Sequence, residues 1–297
     1  LLNIVIVGGG ATGIEVAGIL SEMKKFVLPN DYPDMPSSLM HIYLIEAGPR
    51  LLAGMSEESS AHAEQFLREM GVNILLNKRV VDYRDHKVVL EDGTEIATRT
   101  FIWVSGVTGV TIGNLDASLI GRGGRIKVDS FNRVEGMNNV FAIGDQCIQL
   151  ADEDYPNGHP QLAQVAIQQG ELLAKNLVRM EKGREMKPFH YRNLGSMATV
   201  GRNRAVAEFS KVKMQGWFAW VMWLVVHLRS ILGVRNKVIV LLNWVWNYFT
   251  YDQSMRMIVY ARKAKEIRDR EKVEETTHWG KELVQEEKNP SITSSSK

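Results

Sequence analysis

The sequence predicts an α/β fold with amphipathic helices toward its C-terminal end, and three observations carry that prediction. A short apolar run ends in Gly8-x-Gly10-x-x-Gly13 and opens onto a helical pattern. About 130 residues later a second apolar run, Asn139 to Ile143, ends in Gly144-Asp145. From Trp217 onward, two apolar stretches rich in tryptophan stand among basic residues.

Composition bounds the answer. The 297 residues are 45% hydrophobic and 24% charged, enough for real cores and suited to about two domains. The one cysteine, Cys147, excludes an internal disulfide, a Cys-x-x-Cys pair and a cysteine-based zinc site. Electron chemistry then requires a bound cofactor, no metal site is expected, and Cys147 reads as a packing residue. The net charge of +2 is uneven: residues 200–263 carry ten Lys and Arg against Glu208 and Asp252, together with five of the seven tryptophans. The chain opens on Leu1 inside an apolar run and reads as lacking its beginning.

In order along the chain, Leu2 to Val7 reads as a buried parallel strand running into the glycine turn. A helix follows over Gly13 to Lys25, then a connection with Pro29, Pro33 and Pro36, then a strand at His41 to Ile45 ending in Glu46. Strand, helix and strand make one βαβ unit. Glu57 to Met70 has helical spacing, and Val72 to Leu76 is the next strand. Val80 to Thr100 alternates and turns at Asp85-His86 and Asp92-Gly93, which predicts an antiparallel meander. Phe101 to Ser105 closes a first domain. Beyond it, strands are expected at Arg125 to Val128 and Val140 to Ile143, and a helix at about Pro160 to Met180.

The glycine motif lies between a predicted strand and a predicted helix, the context that gives it meaning. Gly8 permits the tight turn, Gly10 lets backbone approach a pyrophosphate, and Gly13 lets helix pack on strand. The helix N-terminus then offers oriented N–H donors to phosphate. A carboxylate at Glu46 accepts both ribose hydroxyls and repels a 2′-phosphate, which favours NADH over NADPH. The alternative is a glycine turn without a ligand. Glu15 has two readings, a carboxylate complementing the helix dipole or a residue facing the nicotinamide end of the site. Asp145, just after a buried strand, can accept a hydrogen bond from a polyol hydroxyl.

With both elements in hand, the chain resembles the two-dinucleotide-binding-domain flavoproteins. In that family the Gly-Asp carboxylate holds the ribitol of FAD, so the resemblance assigns Gly144 and Asp145 to FAD. Gln164 and Gln168 are four apart, on one helical face, where amides can donate to quinone carbonyls; a solvent-facing glutamine stripe is the alternative. The run Ala163-Gln164-x-Ala166-x-Gln168-Gln169-Gly170 looks like the quinone-site helix of the type II NADH dehydrogenases, the single-subunit NADH:quinone oxidoreductases that pump no protons. Residues 101–107, including Gly106, and 197–202 also resemble segments of that family. The resemblance implies that Gly106 belongs to the cofactor site, and that residues 160–164, including Gln161, Leu162 and Ala163, pass close to the isoalloxazine ring. It further implies that Glu15 sits near the nicotinamide and flavin, linked to proton delivery toward quinone.

Neither apolar stretch reaches the roughly 20 residues of a spanning helix. Asn236, Asn243, Asn247 and Thr250 share one helical face and leave Val238, Leu241, Leu242, Val245 and Phe249 opposite, an amphipathic helix. With Trp217, Trp220, Trp223, Trp244 and Trp246 and the basic balance, this predicts a chain that lies on a bilayer surface without crossing it. A buried hairpin in a homodimer is the alternative, and the two are compatible. His227 reads as a satisfied interfacial histidine. Nucleic acid is not an expected partner, because the aromatics are too apolar and too concentrated in helices for a stacking surface.

The complete expectation is a Rossmann-like NAD-binding domain at 1–105 inserted in an incomplete FAD-binding α/β domain. The C-terminal half of that second domain, with the quinone-site helix, occupies 106–205. Membrane-anchoring amphipathic helices follow at 206–262, and a charged, partly disordered tail at 263–297. The family's earlier glycine-rich unit for the ADP part of FAD is missing before Leu1, so the chain alone is expected to bind FAD weakly or not at all and to be inactive. The single cysteine favours the cytoplasmic side of a membrane or the cytosol. Within the resemblance, the short architecture and the lack of an inserted calcium-binding hand point to a bacterial origin, although mitochondrial relatives exist, so the expected location is the cytoplasmic face of a bacterial inner membrane. Two rivals remain: a related reductase with a protein acceptor such as ferredoxin, and a flavin-free, membrane-bound NADH-binding module.

Overall fold

A computed structural model describes residues 2–250 except Met35, Thr111 and Lys211. The chain divides into two compact units at Val240/Leu241, and the elements up to Val240 belong to the first. The expected tail at 263–297 lies outside the described residues.

The first elements are β1 (Asn3–Val7), α1 (Ala11–Glu22), a π-helical turn at Met23–Val27 and a single turn α2 (Leu28–Asp31). Then come β2 (His41–Ile45), α3 (Glu57–Glu69), β3 (Val72–Leu75), the meander β4 (Val80–Arg84), β5 (Lys87–Leu90) and β6 (Glu95–Ala97), and β7 (Thr100–Trp103). Strands β3-β2-β1-β7 form one parallel sheet, with Val5 opposite Tyr43 on one side and Phe101 on the other. Alternate residues of β1 enter two cores. Ile6 packs with Ile14 and Ala17 of α1, and Val5 and Val7 pack with Val88, Leu90 and Ile96 of the meander. Burial on both faces is why β1 reads as a continuous apolar run rather than an alternating one.

The expected helix at 13–25 begins two residues earlier, at Ala11, and yields to the π-helical turn after Glu22. Gly10 is its N-cap, extended at φ −74° and ψ −178°. At Ser56, the N-cap of α3, the hydroxyl accepts from Ser59 N at 3.3 Å, as a serine in that position is suited to do.

Beyond β7 the chain runs through β8 (Ile126–Val128), β9 (Cys147–Gln149) and α4 (Ala163–Glu181). The expected strand at Val140 to Ile143 is not formed. Its composition suits a strand, but a strand needs a neighbour. Among the described residues this segment makes an isolated bridge, Phe141 to Arg133, flanked by the bonds from Val134 N to Val140 O and from Ala142 N to Asn132 O, and no continuous ladder. The strand beside β8 is β9, immediately after the Gly-Asp turn.

A three-stranded antiparallel sheet follows, β10 (Ser196–Gly201), β11 (Arg204–Phe209) and β12 (Val212–Gln215), and leads into α5 (Gly216–Ser230) and α6 (Val234–Thr250). The sequence reading missed this sheet. Its inner residues Ala198, Val200 and Val206 join the core around α1, while Ala205, Ala207 and Ala219 of α5 form a core on its other side. A domain boundary at 205/206 would cut β11, so the sheet corrects that expected division.

Candidate functional site

At the C-terminal ends of β1, β2 and β7 the sheet presents the glycine turn. A methyl group added at Gly13 would lie 1.8 Å from the Gly8 carbonyl oxygen, so helix and strand meet there as closely as backbone allows. One added at Gly10 would meet nothing within 4 Å, which leaves room for a ligand at the mouth of α1. Glu46 closes the turn from β2: its two carboxylate oxygens accept from Gly9 N at 2.6 Å and Gly48 N at 2.7 Å. Both bonds fix a negative charge beside the glycine turn. Gly106 follows β7 with φ +91° and open space around it, two residues after Val104, whose carbonyl abuts Gly8.

Glu15 is the fifth residue of α1, so it is not a first-turn carboxylate and the dipole-capping alternative falls away. Its Oε1 accepts from Thr199 N of β10 at 3.4 Å. Burial raises its pKa, opposed by the Thr199 N–H, by the charge of His227 and by a hydrogen bond from the Trp223 side chain, and the net shift is upward. One carboxyl is therefore met by the helix that starts at the glycine turn, by β10, and by the apolar helix α5.

The Gly-Asp turn is pinned from behind. Gly144 N donates to Gln169 Oε1 at 2.7 Å, and Gln161 Nε2 donates to the Asp145 carbonyl at 3.1 Å, while Asp145 itself is exposed. Gln169 is fully buried beside Cys147, whose thiol burial pushes up in pKa, in keeping with a packing role. Leu162 is the N-cap of α4 and Ala163 its first residue. Ahead of them lies a buried pair, with His159 Nε2 at 2.9 Å from Asp152 Oδ2 and the His159 carbonyl accepting from Arg125 at 3.1 Å. Burial works to raise the Asp152 pKa, but bonds from His159, Tyr191 N and Asp154 N hold it below the usual carboxylate value. This pair fixes the loop that delivers residues 160–163.

Gln164 and Gln168 share a face of α4 and make the same kind of contact. Gln164 donates to the Gly195 carbonyl and accepts from Leu194 N, each at 3.1 Å. Gln168 donates to the Arg192 carbonyl at 2.9 Å and accepts from Arg192 N at 3.1 Å. They are thus not a solvent-facing stripe; both hold the segment that enters β10. A primary amide carries two N–H bonds, so each retains one more to donate.

A family model described as pyridine nucleotide-disulphide oxidoreductase matches residues 2–170. The chain belongs to that family. A second model, the NDH2 C-terminal domain, matches residues 193–251, a segment that takes in the antiparallel sheet, α5 and α6. Among curated relatives, the type II NADH:quinone oxidoreductase NdhA of Mycobacterium tuberculosis is 35% identical over 256 residues, 82% of this chain and 53% of the relative. The mitochondrial internal alternative NAD(P)H-ubiquinone oxidoreductase A1 of Arabidopsis thaliana is 32% identical over 84% of this chain and 51% of its own length. The chain spans about half the length of the curated relatives it matches. NDH2 of Plasmodium falciparum, solved in complex with NADH, shares the fold at a TM-score of 0.75 and 20% identity, over 84% of this chain and 66% of that one.

Within this dehydrogenase fold, sequence reasoning missed Gln169, the Asp152–His159 pair and the two α5 residues at Glu15. Gln169 adjoins Gln168 in the motif and carried a signal that went unused. Asp152 and His159 are only seven apart but lie in a loop with no periodicity to pair them, and the α5 residues lie more than 200 positions from Glu15, a separation no local pattern bridges.

Proposed function

We propose that this chain carries the NADH-binding and quinone-facing parts of a non-pumping NADH:quinone oxidoreductase lying on a membrane surface. The observation that carries this reading is the convergence on Glu15 of the helix from the dinucleotide turn and the apolar helix α5. A carboxyl so placed links a water-soluble donor to a lipid-soluble acceptor.

NADH lies along Gly8, Gly10 and Gly13 with its pyrophosphate on the N-terminal N–H groups of α1. Glu46 takes the adenosine ribose and disfavours a 2′-phosphate. The residues also fit FAD. Asp145 presents an exposed carboxylate on a backbone held by Gln161, while the neighbouring glycine is held by Gln169, so a fixed acceptor is offered to the hydroxyls of a polyol chain. Gly106, Gly144, Gln161, Leu162 and Ala163 complete that side. The chemistry a bound FAD supplies is acceptance of a hydride and delivery of two electrons. Gln164 and Gln168 offer their remaining N–H bonds to quinone carbonyls without adding charge, and Glu15 holds a proton that quinone reduction consumes.

No described helix is long and apolar enough to cross a membrane. Helix α5 instead exposes Trp217 and Phe218, and α6 by itself exposes Leu242, Trp246 and Phe249, each set suited to the headgroup level of an anionic leaflet. A homodimer and the cytoplasmic face of a bacterial inner membrane belong to the same proposal. Gln168→Ala in the flavin-loaded enzyme tests the quinone site: quinone reduction is expected to fall on the order of tenfold, the scale of a lost charge-free hydrogen bond. Unchanged quinone kinetics contradict the assignment.

A further inference from the structure

The dinucleotide turn and the Gly-Asp turn are joined by a short stretch of chain, residues 105–110, that leaves β7. At its start the stretch packs on the glycine turn: a methyl group at Gly8 would lie 2.7 Å from the Val104 carbonyl oxygen and 3.0 Å from the Ser105 α-carbon. At its end it is held twice. Gly109 N donates to the Gly123 carbonyl at 2.8 Å, and the backbones are so close that a methyl group on Gly109 would lie 2.3 Å from the Gly124 carbonyl oxygen. One residue on, the Gln146 side chain takes both polar groups of the Val110 backbone. Its Oε1 accepts from Val110 N at 2.9 Å, and its Nε2 donates to the Val110 carbonyl at 2.7 Å.

Gln146 directly follows Asp145, in the 3₁₀ turn Gly144–Gln146. A primary amide offers a donor and an acceptor side by side, as a peptide group does, so these two bonds stand in for a β-bridge between residues 36 apart. Side-chain packing does not fix the stretch, since Val107 and Val110 are 58% and 73% exposed. The amide bonds and the Gly109 contact set its position. The support is itself rigid, because Gln169 holds Gly144 and Gln161 holds Asp145 from the other side. Gly106, assigned above to the flavin side, lies within the stretch so held.

We propose that Gln146 is a positioning residue for hydride transfer, clamping the stretch that leaves the dinucleotide turn to the Gly-Asp turn and so fixing NADH against FAD. The reaction served is passage of a hydride, two electrons and a proton, from NADH to FAD, and Gln146 takes no part in its bonds. It acts through the Val110 backbone, by orientation, where a displacement of about 1 Å costs on the order of a hundredfold in rate. This inference rests on the NADH and FAD assignments made above and not on the quinone assignment.

Gln146→Met keeps the length of the side chain and removes its polar ends, while Gln146→Glu keeps an acceptor for Val110 N and loses the donor. Hydrogen exchange at residues 106–110, followed in the full chain without flavin, is expected to quicken in Gln146→Met and to be partly restored in Gln146→Glu. Exchange equal to wild type overturns the clamp. The role in transfer is read in the flavin-loaded enzyme by stopped-flow bleaching of the flavin with NADH, without quinone. The limiting rate in Gln146→Met is expected to fall on the order of tenfold, with the NADH concentration at half-maximal rate and Tm unchanged, because the glycine turn is untouched. An unchanged limiting rate overturns the proposal. So does a loss shared with NADH affinity or Tm, which would make Gln146 an ordinary structural support. The measurement stops at the flavin, so its failure is distinct from failure of the quinone reading; a wild type whose flavin NADH does not bleach overturns the cofactor assignments and this proposal together.

Discussion

Gly10 and Gly13, three residues apart, respond to the same substitution in opposite ways. A methyl group at Gly13 collides with the Gly8 carbonyl oxygen at 1.8 Å, while one at Gly10 enters the open space where the pyrophosphate is proposed to lie. Gly13→Ala is expected to lower stability by about 1–3 kcal/mol or more, the range for forced overpacking, seen as a fall in Tm. Gly10→Ala is expected to leave Tm nearly unchanged and to weaken NADH binding in a fluorescence titration; equal Tm losses in both variants would contradict this division. At Glu46, replacing the carboxylate with the amide of Gln keeps the shape and removes the charge. Glu46→Gln is expected to raise NADPH use relative to NADH on the order of tenfold, about 1.4 kcal/mol of discrimination, measured as the ratio of kcat/KM values. These positions were legible in the sequence because their chemistry is local, set by spacing between one strand and one helix. The assignment of Glu15 was half legible. Its neighbours Thr199, Trp223 and His227 lie roughly 200 residues away, and only packing brings them together.

The elements were legible where periodicity was strong, as in β2, α3 and the meander. They were not where partners decide, and Val140 to Ile143 has the residues of a strand without a strand beside it among the described residues. The sheet β10–β12 went unseen because its inward positions are largely alanine, too small to stand out as an apolar alternation. That sheet nevertheless anchors α3: Glu208 of β11 accepts from both the backbone N–H at 3.0 Å and the hydroxyl of Ser56, the helix N-cap. Burial works to raise the Glu208 pKa, but the bonds from Ser56 and Ser59 and the charge of Lys213 bring it below its ordinary 4.5. A lowered folded-state value means that this contribution is fully present above about pH 4.5 and is lost as pH falls through the lower folded value. Glu208→Gln is expected to destabilise the protein by about 1 kcal/mol at pH 7 and to flatten the acid side of its stability profile, measured by urea unfolding between pH 3 and 7. In α5 and α6, Phe218 and Leu242 are 73% and 62% exposed. Replacing both with Glu is expected to weaken binding to anionic vesicles more than about tenfold in a flotation assay, since each lost apolar contact is worth about 1.5–3 kcal/mol. Undiminished flotation would assign these helices to a protein interface.

At the scale of the molecule, the parallel sheet places the dinucleotide turn at one end of α1. The antiparallel sheet packs against that helix and carries α5 to Glu15. Glutamines on α4 tie the Gly-Asp side of the molecule to the segment that enters the same sheet. One helix and one sheet therefore join three regions proposed to hold NADH, flavin and quinone. The overall class was readable because each region has its own local motif, whereas the way they join was not, being carried by backbone contacts such as Gly18 of α1 against Val200 of β10. The central claim, that electrons pass from NADH to a membrane quinone, is tested most directly by one anaerobic visible spectrum. It is recorded on the flavin-loaded enzyme in mild detergent, before NADH, after NADH, and after a quinone analogue. The account predicts a flavin absorbance that bleaches with NADH and returns with quinone; a flavin reduced by NADH that stays reduced in the presence of quinone would contradict it.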